Sequence, residues 1–503
     1  MRIVFLFLLF ITACSLQNNK DSEKALHLAL SEEPLTVDPR LVKTLNCSNL
    51  CQMLFEGLMS SDKNGELSFG IADHVELSKD HLVYVFHLKD AVWSDGSLVT
   101  AQNFVDSWKS SLDPAFPASN VNQLFPIKGA KQAKLGEKSV EEVGVVAIDL
   151  KTLQVELESP TPYFLKLCSL PIYFPIPSKE GINSDSLVVN GPFLIEKWRR
   201  QDKIVLSKNK SYWNEKDVVL NKIEFAFLKP ETALQLFELG KLDWAGSPIS
   251  YLPSESLETL AKTCGYQKAP LRGTSFIRVN TTRAKLSDSE FRKKIGFAIN
   301  RDEITKTLLH GSQKTATRFV PPEMGLNNPD LIEAIGIENA KFEGSIPLMY
   351  AEDPRTRAIA QAIQGQLNQA LSVNIELEAQ ETRVYYEKLR KGNYELAICS
   401  WIADFDDPIN FLELFQYQNQ SGNMTGWESA EYLEQLNQSV ISEGDERLAV
   451  LAKAERILMN EMPIIPIFHF QMNYLQNKDL DGVVLRPTGL IDCRFAKLDG
   501  LKR

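Results

Sequence analysis

Hydrophobic and polar positions change rhythm along the chain, and the changes mark its elements. Ala25–Leu30 predicts a first strand. Glu32–Arg40 follows as an extended segment held by two prolines. Asn49–Leu58 predicts a helix, with Leu50, Leu54 and Leu58 on one face and Gly57 near its end. Leu82, Tyr84, Phe86 and Leu88 alternate with Val83, Val85 and His87, which is strand periodicity. Ser94-Asp95-Gly96-Ser97 is a turn, and Thr100 caps a helix carrying Phe104, Val105 and Trp108 that stops by Asp113-Pro114. Val143–Leu157 predicts two strands around Asp149-Leu150, followed by a proline-rich apolar stretch, Pro160–Pro177. Asn190-Gly191-Pro192-Phe193 is a tight turn before the strand Phe193–Trp198. Strands at Ile204–Leu206 and Ile223–Leu228, a helix at Thr232–Leu239 closed by Gly240, and a short strand starting in Lys241–Trp244 come next.

From Phe276 the pattern becomes an alternation of helices and strands. Asp288–Ile299 aligns Phe291, Ile295 and Ile299, and Arg301–His310 ends at Gly311, a C-cap residue. Leu348–Tyr350 predicts a strand, Arg355–Ala370 a helix, Val373–Leu377 a strand, and Thr382–Lys391 a helix ended by Gly392. Such alternation predicts an α/β unit with a parallel sheet. Ile464–Phe468 is a late strand.

The stretch Ser400–Phe415, S-W-I-A-D-F-D-D-P-I-N-F-L-E-L-F, joins the strand-like Tyr394–Cys399 to a helix-like run near Pro408. Asp407 before Pro408 is a helix start, an acceptor at the N-cap followed by proline at N1. That explains Asp407 and leaves Asp404, three residues after Trp401, without a structural duty. An acid beside an aromatic in a strand-to-helix loop is suited to hold a cationic group, and loops on a rigid scaffold carry function.

Composition narrows the class. The chain has 503 residues, 44% hydrophobic and 24% charged, enough for a sizeable core in a large folded body. A net charge of −10, with no basic stripe interleaved with aromatics, argues against nucleic-acid binding. The N-terminus reads as a targeting segment: Arg2, then apolar Ile3–Ile11, then Ile11-Thr12-Ala13-Cys14. The apolar run is too short to span a bilayer. A cysteine directly after small residues resembles the bacterial lipobox, which implies cleavage before Cys14, lipid attachment there, and a polar tether over residues 14–24. The remaining cysteines, Cys47, Cys51, Cys168, Cys264, Cys399 and Cys493, permit disulfides, but their spacing selects no pairing. No zinc pattern is visible, because Cys47 and Cys51 lack a second close Cys or His pair and the six histidines form no ligand pair at helical spacing.

An ordered set of short motifs carries a resemblance. Leu54-Phe55-Glu56-Gly57-Leu58, Trp93-Ser94-Asp95-Gly96, Val99–Val105, Ser107-Trp108 and Asp113-Pro114 come first. Asn190–Phe193, Tyr212-Trp213, Phe291-Arg292, Asn300-Arg301-Asp302, Trp401 with Ala403-Asp404, and Pro463–Pro466 follow. In this order, from about Leu28 to about Phe495, they resemble the solute-binding proteins of peptide ABC transporters. The resemblance implies a two-lobed α/β fold, like that of periplasmic binding proteins, closing about a hinge. One lobe is expected to be discontinuous (25–59, 185–273 and 484–503) with an extra domain inserted at 60–184. The other lobe is expected at 274–483.

The resemblance also implies a site. An extended ligand lies between the lobes, its backbone paired with protein segments by strand addition. Carried onto this chain, those segments are Thr44, Leu45 and Asn46 in one lobe and Ser400, Trp401 and Ile402 in the other. Asp404 matches the acid that holds the ligand's α-ammonium group, and Trp401 is expected to wall the pocket. The basic position that often meets the α-carboxylate is Ile398 here, so that contact is missing. Arg355, Arg357, Arg383 and Arg390 lie in or near segments suited to line the cleft, and Tyr385 shares a helix with Arg383 and is placed to face it. The implied partners are a short peptide, a membrane ABC permease and the membrane itself through the Cys14 anchor, with the protein a monomer outside the cytoplasm. A murein-derived peptide, with its extra charged group, is an alternative ligand.

Two other classes find less support in the sequence. Ser60–Lys63 and Ser207–Lys210 satisfy S-x-x-K, but no K-T-G accompanies them, and G-x-S-x-G, H-E-x-x-H and Walker A patterns are missing. No catalysis and no cofactor are therefore expected. A surface adhesin would share the lipid anchor but would not need Asp404 beside Trp401.

Overall fold

The computed structural model describes residues 25–178, 182, 187–263, 265–329, 344–371, 373–420 and 422–498. Cys14, the leader, the tether, Cys264 and the expected boundary at 185 lie outside them. Among the described residues no helix is long and apolar enough to cross a membrane.

One mixed sheet runs through the molecule. Its strand order is 374–380, 345–351, 396–402, 266–279, 464–476, 244–246, 25–30, 222–227, 203–208 and 193–199, with 314–315 added beside 464–476. The parallel pairs lie where βαβ alternation was read: Ser345–Ala351 pairs parallel with Asn374–Gln380, and the helix Pro354–Leu371 crosses between them. Its buried stripe, Ile359, Ile363, Leu367 and Leu371, packs on that sheet. At the other end Ala25–Leu30 pairs parallel with Lys222–Phe227.

Two long strands join these halves. Tyr266–Val279 and Ile464–Gln476 run antiparallel, from Tyr266 opposite Leu475 to Arg278 opposite Ile464. Their register shifts between Pro270 and Thr274, beside Gly273. A Cβ on Gly273 would stand 3.0 Å from both Ile402 and Phe470, so the strands approach closely there.

A separate four-stranded antiparallel sheet, in the order 72–77, 83–88, 152–156 and 145–147, lies between the first and later strands of the large sheet in sequence. Tyr84, Phe86, Leu88, Leu153 and Val155 point to its core, covered by the helix Ala101–Leu112 and its buried Trp108. Trp93 and Trp108 are both fully buried, and the Trp108 indole donates to the Tyr173 carbonyl at 2.9 Å.

Several expected bounds move. The first helix is Leu45–Leu54, not Asn49–Leu58, because the Thr44 hydroxyl accepts from Cys47 N and starts it earlier. Gly57 is therefore not a helix stop. A Cβ there would meet the Phe174 ring at 2.6 Å, so it is a point of close packing. Arg301–His310 is not an ordinary α-helix: Glu303–Leu308 is π-helical. The last long strand extends to Gln476, well beyond Phe468. The helices Ala430–Ile441 and Gly444–Glu461 had not been read from the sequence.

Three of the short motifs meet in one buried knot. Glu56 accepts from Tyr212 Oη at 2.9 Å, Trp213 Nε1 at 2.5 Å and Arg494 Nη1 at 2.9 Å. Asn190 exchanges hydrogen bonds with the Glu56 backbone, at 3.1 and 2.9 Å. The N-terminal, middle and C-terminal segments of the first half are thus held by one carboxylate and its partners.

Candidate functional site: a cleft beside Asp404

The site grows from one strand with a half-open edge. Leu396–Ile402 pairs along its length with Tyr266–Val279, from Val279 opposite Leu396 to Gly273 opposite Ile402. Its other edge meets Ser345–Ala351 only at Leu396 and Ala397. Beyond Ala397 that edge has no strand partner among the described residues. Tyr385 Oη donates to the Ile398 carbonyl on this side at 2.6 Å. Strand alternation turns the backbone groups of Ser400 and Ile402 the same way.

The open edge borders a cleft of about 740 Å³ lined by Ser400, Trp401 and Asp404, with Gln123 and Tyr163 from the segment around the smaller sheet. A second cavity of about 230 Å³ adjoins it, lined by Thr44, Leu45, Ile402 and again Gln123 and Asp404. Asp404 therefore stands at the junction of the two spaces.

The neighbouring acids divide by partner. Asp406 pairs with Arg272, Nε to Oδ1 2.8 Å. Asp407 is bound by Arg447 through both oxygens, at 3.0 and 2.8 Å, and by Lys166 at 3.1 Å, and it accepts from Ile409 N. Burial works against its charge, but the Arg447 hydrogen bonds and charges outweigh that and leave its carboxyl below the ordinary range. Its expected capping role thus coexists with a buried ion pair.

Asp404 has no such partner among the described residues. Burial raises its carboxyl above the ordinary range, opposed only by a hydrogen bond from Gln123. Glu413, which also lines the cleft, is pushed up to about 8 by burial and by the charges of Asp404 and Asp407. Asn410 fixes the geometry: its Oδ1 accepts from Trp401 Nε1 at 3.2 Å and from Asp404 N at 3.0 Å. Two under-neutralised carboxyls in a partly dehydrated cleft form a receptor for positive charge.

The expected site residues separate accordingly. Ser400, Trp401, Asp404, Tyr385 and Arg355 line the main cleft, and Thr44, Leu45 and Ile402 line the adjoining cavity. Tyr385 is buried as a wall, and Arg355 lies 5.7 Å from the Phe468 ring centroid. Asn46 lines neither space; its Nδ2 donates to the Glu32 carbonyl at 3.2 Å. Arg357 is an exposed partner of Glu352, and Arg383 is exposed on its helix; neither lines the cleft. Thr44–Asn46 is not an extended segment, since Thr44 caps the helix that Leu45 and Asn46 begin.

Three cleft residues were missed. Gln123 sits in a short 3₁₀ turn with no periodic signal. Glu413 lies three residues after Asn410, one helical face onward, and only the three-dimensional cleft gives that spacing meaning. Arg278 lies opposite Ala397, buried, its Nη1 donating to the Gly422 and Asn423 carbonyls and its Nε without a partner among the described residues. His469 is buried against Thr274 Oγ1 at 2.9 Å and pushed down to about 3 by burial, so it stays neutral.

Similarity to known proteins covers nearly the whole chain. The sequence model of the bacterial extracellular solute-binding proteins, family 5 (Middle), matches residues 66–423. The chain is 35% identical to the oligopeptide-binding protein OppA of Bacillus subtilis (strain 168), over 98% of each chain. The solved Escherichia coli murein tripeptide-binding protein MppA superposes with a TM-score of 0.81 at 26% identity, covering 95% of this chain and 99% of that one. Haemophilus influenzae OppA, in complex with RPPGFSPFR, superposes with a TM-score of 0.77 at 27% identity, over 95% and 99%. With the two halves joined by long strands and the cleft beside them, this chain belongs to the bacterial extracellular solute-binding proteins, family 5.

Proposed function

We propose that the protein captures short peptides in the cleft beside Asp404 and delivers them to a membrane ABC permease, with no chemistry of its own. The observation that carries this is the pairing of an open strand edge at Ser400–Ile402 with a carboxylate that lacks a cation. A peptide backbone laid on that edge adds a strand, which gives affinity without regard to side chains. Its α-ammonium group then meets Asp404 and removes the cost of a buried, unpaired charge. The relatives named oligopeptide-binding and the neighbour solved with RPPGFSPFR support a peptide as ligand.

The lobes in this reading are 25–59, 185–273 and 484–503 with 60–184 inserted, and 274–483. The bulge beside Gly273 supports a hinge there. Arg278 and Arg355 are the cations available to the ligand's far end, in place of Ile398. The lipobox-like stretch ending at Cys14 supports an extracytoplasmic, membrane-anchored protein. A murein-derived peptide is the second reading. Glu413 favours it, because a second carboxyl beside Asp404 suits a ligand with a second ammonium group.

Calorimetry with peptides bearing free or acetylated N-termini tests the proposal. Free-amine peptides should bind, and acetylation, Asp404→Asn or Asp404→Ala should each weaken binding about 100-fold or more, as expected for an unpaired buried charge. Equal affinity of either variant for free-amine peptides would refute the amine-anchor role.

A further inference from the structure

The smaller sheet carries a cluster that the cleft does not use. Its buried face takes Tyr84, Phe86 and Leu88, so strand alternation sends Val83, Val85 and His87 to the other side. On that side His74 stands directly opposite His87, and Glu76, two residues along, shares the face. The two imidazoles are stacked, ring centroids 4.3 Å apart and planes 13° apart. Ligand atoms of His74, Glu76 and His87 all lie within 4.8 Å of one another.

We propose that His74, His87 and Glu76 bind a divalent transition-metal ion of the zinc class on the outer face of this sheet.

The hydrogen bonds already have the form that such a site needs. The register slips between Ala72 and His74, and Asp73 Oδ2 lies 3.1 Å from His74 Nδ1. A carboxylate holding the Nδ1 proton leaves Nε2 as the free lone pair, the orientation that outer carboxylates impose on metal-bound histidines. Glu76 Oε1 lies 3.2 Å from His87 Nε2, so an ion replaces the proton shared by that pair. Two imidazoles and one carboxylate leave a fourth position for water, the ligand count of an open zinc site. Ligands on tetrahedral zinc stand about 3.3 Å apart. Exposed side chains close the remaining gap by rotating about their χ angles, with no backbone cost. Packing does not account for the pair, since both rings sit on the solvent side.

The histidines are thirteen residues apart in sequence, at no helical or turn spacing, and only the hairpin register brings them together. The site stands apart from the cleft and does not depend on what the cleft binds.

Zinc chloride titrated calorimetrically into the whole protein, in a non-chelating buffer at neutral pH, tests the inference. One ion per chain should bind with micromolar affinity. His74→Ala/His87→Ala should abolish that binding, and Asp73→Asn should weaken it about 10–100-fold. All these side chains are exposed or nearly so, and unchanged melting curves without metal will show that the variants fold. Equal zinc affinity in the double histidine variant, or no saturable binding by the parent, would overturn the proposal.

Discussion

The ring of Phe405 lies flat on that of Tyr163, centroids 5.1 Å apart and planes 7° apart. Phe405 follows Asp404 directly, and Tyr163 belongs to the proline-rich stretch after the smaller sheet. Lys166 reinforces the contact by donating to the Asp406 carbonyl at 2.6 Å and to Asp407 Oδ2 at 3.1 Å. In the two-lobed reading proposed above, these bonds cross between the inserted domain and the second lobe, and they would stabilise the closed form. Phe405→Ala should keep the fold but weaken peptide binding about tenfold, given about 0.5–1.5 kcal/mol for an aromatic pair beyond its buried area. Calorimetry reads the affinity, and small-angle scattering should show a larger radius of gyration for the variant with ligand.

Asn410 is nearly fully buried and serves two donors at once. Asn410→Ala would leave the Asp404 amide and the Trp401 indole unsatisfied, at about 1–3 kcal/mol for each fully buried donor. Urea denaturation should show the loss. Asn410→Asp, which keeps an acceptor oxygen, should recover part of the stability but add another carboxyl beside those of Asp404 and Glu413.

Glu413 gives the cleft a pH dependence with a defined sign. Its carboxyl is held near 8, above the ordinary 4.5. The folded protein therefore binds more protons than the unfolded chain between those values. The contribution of Glu413 is fully present below about 4.5 and is lost as pH rises through about 8. Asp404, also raised, acts with the same sign. In Glu413→Gln the melting temperature should fall less across that window, as read by scanning fluorimetry. Binding of a dicationic peptide should release a proton in the parent but not in the variant.

Arg494 closes the knot around Glu56. It donates to Glu56 at 2.9 Å, to Asp492 at 2.5 Å and to the Ser61 carbonyl at 2.7 Å. Arg494→Met leaves two buried carboxylates short of their cation, at a cost of about 3–5 kcal/mol by analogy with broken buried pairs. Urea denaturation should report that loss.

Much of the fold was legible because its signals are local. The alternation at Leu82–Leu88 and the stripe Ile359–Leu371 need only a window of a few residues. The helix at Leu45 was misplaced because Gly57 mimics a stop signal when it is a point of close packing. Asp404 stood out because Asp407 and Pro408 accounted for their own positions. Gln123, Arg278 and Glu413 did not, since each owes its place to strand register or to a contact far along the chain. The same limit hid His74 and His87, whose proximity exists only across a hairpin.

The long antiparallel pair 266–279 and 464–476 has a thermodynamic consequence. Each half of the molecule completes its sheet with residues contributed by the same two segments, so neither half can melt without stripping the ladder of the other. Heating should give a single endotherm despite the chain's length. A bound ligand should move that one peak as a whole instead of splitting it in two.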